Sequence, residues 1–143
     1  RGETAHVLPA FRRAFERRRV LMPVTGFFEW GSDAPWLFTV DDGAPFAIGA
    51  IAADDDALPF CLLTTVANDR VAPVHHRMPV ILAPEDFAAW LDPSAPLDGL
   101  RALLRPIEAA RVAAHPVSPR VGDVKNDDPF LVEPFAPPQL RLL

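Results

Sequence analysis

Glu29 is an acid set among apolar neighbours in GFFEW, Gly26–Trp30. A carboxylate desolvated at the end of an apolar strand has a raised proton affinity, which suits general acid–base work. The same pattern also fits an alternating strand whose acid faces water. His75, His76 and Arg77 form a second group in PVHHRMPVIL, Pro73–Leu82. Histidine beside arginine ahead of an apolar strand can place a proton donor next to an anion clamp. A packing or surface role fits the bare pattern equally. Neighbouring side chains of an extended segment point to opposite faces, so only one of the two histidines is expected to serve a pocket, with His76 directed away.

A third group lies in HPVSPRVGDVKND, His115–Asp127, where Ser118, Arg120, Lys125 and Asn126 supply donors suited to phosphate and Gly122 suggests a tight turn. Taken alone it is a polar loop. Thr64 and Thr65 close an apolar run and carry a weaker signal. Residues 1–20 hold six arginines (Arg1, Arg12, Arg13, Arg17, Arg18 and Arg19) against Glu3 and Glu16. That cluster reads either as a solvated helix face or as a basic face for a phosphate backbone. The net charge of −5 speaks against broad nucleic-acid binding but permits a confined basic strip.

No metal and no cofactor is expected, because His6 and His115 are isolated and the single cysteine, Cys61, leaves no ligand spacing. One cysteine also excludes an intrachain disulfide, which points to a reducing, cytoplasmic setting. Cys61 sits in an apolar run and reads as a buried core thiol. No membrane partner is expected, since no apolar run approaches the roughly 20 residues of a spanning helix.

The elements that must position these groups are mostly strands. Seventeen prolines and seven glycines disfavour a helical bundle and favour short strands with many turns. Strands are expected at 20–23, 27–30, 36–40, 46–52, 60–65, 79–82, 112–117 and 131–134, with turns at Thr25-Gly26 and Asp42-Gly43. Val7, Leu8, Phe11 and Phe15 recur at helical spacing, giving a helix over 4–18 capped by Thr4. Pro84 with Glu85 and Asp86 opens a helix to about residue 91, and 97–104 forms another. The acidic run Asp54–Asp56 reads as a solvated loop. The expected fold is one α+β domain over 1–143, with mainly antiparallel strands in a barrel-like or two-sheet core and flanking helices.

In combination these segments resemble the SRAP (SOS-response-associated peptidase) family. RGET at Arg1–Thr4 is similar to the tail of its asparagine-alanine-arginine-x-glutamate-threonine motif. Arg17–Trp30 is similar to its arginine-rich helix end, strand and glycine–aromatic–aromatic–glutamate–tryptophan block. Leu62–Leu82 resembles its threonine strand followed by histidine-aspartate-arginine-methionine-proline, with His76 in place of the aspartate. His115–Asp127 resembles its last block. The family's opening segment, with the cysteine that follows the initiator Met, is expected to be missing from these residues.

The resemblance implies capture of abasic sites in single-stranded DNA. In that chemistry the N-terminal cysteine amine forms a Schiff base with the ring-opened sugar, and its thiolate closes a thiazolidine crosslink. It implies Glu29 as the acid–base residue and His75 as the assistant to ring opening, the two sharing one cleft with Arg77 at its rim. Arg1 and Arg77 are implied as phosphate clamps, with Thr64 near the same phosphate. Arg1, Arg77 and the Ser118, Arg120, Lys125 and Asn126 segment are expected on one electropositive strip. A monomer is expected, inactive as these 143 residues alone. A thiol autopeptidase using the same residues, or a non-catalytic single-strand binding module, are the competing readings.

Overall fold

The computed structural model describes residues 1–52 and 60–136; the acidic run at 54–56 lies outside them. All strand pairs are antiparallel. The first sheet pairs β1 (Arg19–Val24) with β4 (Phe46–Ala52), and β4 also takes β5 (Phe60–Leu62) and β8 (Ile81–Leu82). The second runs β2 (Phe27–Trp30), β3 (Pro35–Val40), β9 (Val112–Pro116). The third is the pair β6 (Thr64–Val66) and β7 (Arg77–Pro79). Among the described residues these sheets do not close into a barrel. The α+β, mainly antiparallel class is the one expected.

Single residues break two of the expected strands and join the sheets. Leu63 separates β5 from β6, and Val80 separates β7 from β8. Val80 N–H donates to Leu63 O (2.8 Å), Gly49 N–H to Val80 O (2.9 Å) and Leu63 N–H to Gly49 O (3.0 Å), so both breaks lie against β4. Gly49 packs closely there: a Cβ would lie 3.2 Å from Trp90 Cζ2, so the indole would have to give by a few tenths of an ångström.

The expected helix over 4–18 is instead two helices, α1 (Gly2–Ala5) and α2 (Pro9–Arg17). Proline has no N–H to give and its ring collides with the carbonyl four residues back, so Pro9 starts a helix rather than continuing one. Thr4 therefore caps nothing downstream; its hydroxyl donates to Arg1 O at 3.4 Å. Only Phe15 of the expected apolar stripe is buried, while Val7, Leu8 and Phe11 are exposed. Arg19, 6% exposed, donates to the carbonyls of Phe15 (2.8 Å), Glu16 (2.6 Å), Trp90 (2.6 Å) and Asp92. It thereby satisfies carbonyls at the ends of both α2 and α3 (Phe87–Leu91).

The 84–91 helix is found as a 3-10 turn, Pro84–Asp86, running into α3, and the next helix is α4 (Leu97–Ala102). The expected strand at 131–134 is overturned: Pro129–Val132 is a 3-10 turn whose Phe130 N–H is capped by Asp128. Cys61 is exposed on β5 rather than buried. β5 pairs only with β4 among the described residues, and all three of its residues remain open to solvent.

Two apolar clusters hold the elements. One gathers Phe15, Ile51, Leu63, Val80, Leu82, Trp90, Leu100 and Leu104. The other gathers Phe27, Phe38, Val40, Val71, Met78, Ile81 and Val112, with the Phe27 and Phe38 rings stacked at 5.1 Å between register partners of β2 and β3. Gly26 lets β2 start against this cluster, since a Cβ there would sit 2.8 Å from Leu37 Cδ1 and 3.0 Å from Phe38 O. No described helix is long and apolar enough to cross a membrane.

Candidate active site

Glu29 and His75 meet where β2 faces the turn that leads into β7. Glu29 is carried by β2 opposite Trp36 of β3. His75 ends a turn built by Asn68, whose side-chain oxygen accepts from Arg70 N–H and Val71 N–H (3.1 Å each) and whose amide donates to Ile107 O (2.9 Å). His75 N–H donates to Val71 O at 3.0 Å, and Ala67 N–H to His76 O at 3.1 Å. Asn68 was not singled out in the sequence, although asparagine ahead of Asp69 and Arg70 is a turn-forming signal.

His75 Nδ1 lies 3.5 Å from Glu29 Oε2 and 3.0 Å from Arg77 O. Arg77 N–H donates towards the same Nδ1 at 3.3 Å, so this nitrogen meets one backbone donor as well as two oxygens, and whether it donates or accepts follows the tautomer of the ring. Glu29's side chain is 23% exposed and that of His75 is 37% exposed. Burial pushes the Glu29 carboxyl above its ordinary range, and the nearby His75 and His76 pull it partly back. Proton affinity is thus raised at the acid the sequence singled out.

His76 does not point away. Its ring lies 4.6 Å from that of His75, tilted by 49°. The strand alternation invoked for it applies only from Arg77, where β7 begins; His75 and His76 belong to the preceding turn segment.

Arg77 is the first residue of β7, with its side chain 16% exposed. Its Nη2 donates to Thr64 O (2.6 Å), and Nη2 and Nε reach Thr64 Oγ1 (3.2 and 3.4 Å). Its outer edge is held by Glu3 of α1, at 2.8 Å from Nη1 and 2.7 Å from Nη2. That guanidinium holds the Glu3 carboxyl below the usual carboxylate range. The structure therefore brings Thr64 and Arg77 together as the sequence suggested. It adds Glu3, which the sequence had shown as part of RGET and as one of two acids among the arginines of residues 1–20. Arg1 is exposed at the start of α1.

The 118–126 loop leaves the second sheet in the row that contains Glu29. Glu29 pairs with Trp36, and Trp36 with Pro116, so the loop begins two strands from Glu29, about 10 Å across the sheet. Within it, Ser118 Oγ accepts from Arg120 N–H (3.3 Å) and caps the turn. Arg120 pairs with Asp128 (2.7 Å) and reaches Asn126 Oδ1 (3.4 Å), while Asn126 Nδ2 returns to Arg120 O (2.7 Å). Arg120 and Asn126 thus staple the loop. Lys125 is anchored through its backbone N–H to Asp123 (3.0 Å). No hydrogen bond or ion pair joins this loop to Glu29, His75 or Arg77 among the described residues. The same residues contain no cluster of three or more metal-ligating side chains.

The family model for SOS response associated peptidase (SRAP) matches residues 1–124. The chain is 31% identical over 145 residues to the abasic site processing protein YoqW of Bacillus subtilis, with 93% of this chain and 65% of that protein covered. It is 29% identical over 154 residues to the abasic site processing protein YedK of Escherichia coli, covering 94% and 65%. This chain thus spans 65% of the length of each. A crystal structure of a protein from Bacteroides thetaiotaomicron superposes with a TM-score of 0.84 at 27% identity, over 94% of this chain and 64% of that one.

Proposed function

This chain belongs to the SRAP family, and on that footing we propose that it processes abasic sites in single-stranded DNA by capturing the sugar aldehyde covalently. The similarity to proteins named for abasic site processing supports the substrate. The observation that carries the chemistry is the Glu29–His75 pair, an acid of raised proton affinity 3.5 Å from an imidazole.

The nucleophile in this reading is the α-amine and thiol of an N-terminal cysteine. It is not among these 143 residues, whose single cysteine, Cys61, is internal and offers no α-amine. His75 gives a proton to the sugar ring oxygen while the C1 hydroxyl yields its own to the Glu29 carboxylate, so the bond from C1 to the ring oxygen breaks and the aldehyde forms. The amine then adds to the aldehyde carbon, and Glu29 protonates the departing hydroxyl, which leaves as water to give the Schiff base. The thiolate adds to the same carbon and the nitrogen takes up a proton, closing the thiazolidine. No oxidant or reductant is needed. A carboxyl raised by burial keeps a proton available closer to neutral pH than an ordinary glutamate would.

In this reading Arg1 and Arg77 hold backbone phosphate, with Thr64 beside Arg77 near the same phosphate, and Ser118, Arg120, Lys125 and Asn126 supply further contacts to the strand. The test is a denaturing gel of the protein bearing its N-terminal cysteine, mixed with abasic or intact single-stranded oligonucleotide. A denaturant-stable band with the abasic oligonucleotide alone, lost when an alkoxyamine first blocks the aldehyde, is expected. No such band at all would refute the reading.

A further inference from the structure

Arg77 has its fork already filled. The Glu3 carboxylate spans Nη1 and Nη2 at 2.8 and 2.7 Å, the side-by-side arrangement in which a guanidinium also holds a phosphate. Thr64 takes the inner edge through its carbonyl and hydroxyl oxygens. Of the five guanidinium protons, those contacts engage four, and the one remaining on Nη1 cannot hold a phosphate in two places. The Thr64 contacts also stop the guanidinium from turning to offer another edge. Of the two partners Glu3 is the one open to solvent, at 38% exposed against 16% for Arg77. It stands on a single helical turn of four residues.

We propose that Glu3 sets the phosphate affinity of Arg77: its carboxylate occupies the place of a DNA phosphate, and binding exchanges one anion for the other. This rests on the reading of Arg77 as a phosphate contact. With Glu3 ionised, the Arg77 charge is neutralised before any ligand arrives, and an approaching phosphate meets a like charge at the fork. Exchange releases Glu3 to water while Thr64 keeps hold of the arginine, so the guanidinium never loses all its partners. Contact with the DNA backbone is thereby coupled to loss of the Glu3–Arg77 tie, while Gly2 and Ala5 keep α1 packed in place.

The experiment is a titration of fluorescein-labelled oligothymidylate by anisotropy at several salt concentrations, using wild type, Glu3→Gln, Arg77→Ala and the double variant. Glutamine keeps the size of Glu3 and one acceptor but loses the charge. Glu3→Gln is expected to bind about 3- to 5-fold more tightly, the scale of a part-exposed ion pair, with the salt slope steeper by about 0.7 for one more strand phosphate. In the Arg77→Ala background the same change should have little effect. Unchanged or weaker binding by Glu3→Gln would overturn the proposal, as would an equal gain without Arg77. If wild type and Arg77→Ala bind alike, the phosphate reading of Arg77 fails, and Glu3 falls with it. Should Glu3→Gln fold poorly, wild type itself gives the answer: the Glu3 carboxyl ¹³C resonance must shift at saturating oligonucleotide. A resonance that stays fixed contradicts the exchange.

Discussion

Glu29 Oε2 and His75 Nδ1 lie 3.5 Å apart, although 46 residues separate them in the chain. Neither residue reaches the other through its own element alone. Gly26 admits β2 against Leu37 and Phe38, and Asn68 folds the 68–76 turn back so that His75 arrives at the β2 edge. The carboxyl is held out of water, and its ordinary preference for ionisation is reduced.

That raised proton affinity has a consequence for stability. The folded state binds the Glu29 proton more tightly than the unfolded chain does. Between the ordinary carboxylate range and the raised folded value, stability therefore falls as pH rises. Glu29→Gln removes the penalty, so this variant should melt above wild type at pH 7 to 8, with the gap closing towards pH 4. Thermal melts followed by circular dichroism at both ends of that range check the sign. A variant less stable than wild type at neutral pH would show that the His75 contact outweighs desolvation.

Arg19 should dominate stability where the helices meet the first sheet. It is buried and donates to four carbonyls of two helix ends. Arg19→Met keeps the stem but leaves those carbonyls without a donor, at a cost of about 3 kcal/mol or more. Urea denaturation measures it directly; a loss under about 1 kcal/mol would mean that water or neighbouring donors replace the guanidinium.

The strands that carry the motifs could be read from local alternation and turn residues, whereas the pairing of Glu29 with His75 was implied by the family resemblance and not by the pattern, which also fits a Glu29 that faces water. Gly26–Trp30, Phe46–Ala52 and Val112–Val117 formed close to where their patterns put them. What failed depended on tertiary contacts. Leu63 and Val80 break apolar runs because each hydrogen-bonds to Gly49 of β4 and to the other, which no run of hydrophobicity can reveal. His76 lies against His75 because the segment is a turn rather than a strand. Cys61 looked buried by its neighbours, but they belong to an edge strand. Pro9 was a local signal that the 4–18 apolar spacing overrode.

The exposed Cys61 thiol should react with Ellman's reagent in the native protein, giving one equivalent per copy of these 143 residues without denaturant. Lack of reaction until unfolding would place the thiol in a covered site. Because Cys61 has no α-amine, its exposure should not produce a thiazolidine with abasic DNA.

Arg77→Ala should weaken binding of single-stranded DNA by about 1–3 kcal/mol, the range for a charge-assisted contact. The loss should shrink as salt rises. Substituting Arg101, whose side chain among the described residues bonds to Asp98 on the surface of α4, is the control. Equal losses from both would mean that no specific phosphate contact is made by Arg77.

His75→Ala should slow capture of the abasic sugar, and the defect should narrow as pH falls and solvent acid replaces the missing donor. Measuring the crosslinking rate from pH 5 to 8 separates this from a packing defect, which would lower the rate by the same factor throughout.

The most direct measurement is the rate of crosslink formation by Glu29→Gln in the protein bearing its N-terminal cysteine, set beside that variant's affinity for abasic single-stranded DNA. Glutamine keeps the shape and an acceptor of the carboxyl but cannot carry the proton. Proton transfer by Glu29 requires crosslinking to slow by about 10²–10⁴-fold, the span for loss of one acid–base group, with affinity almost unchanged. A variant that crosslinks at the wild-type rate, or loses rate only in proportion to lost binding, would contradict a catalytic role for Glu29.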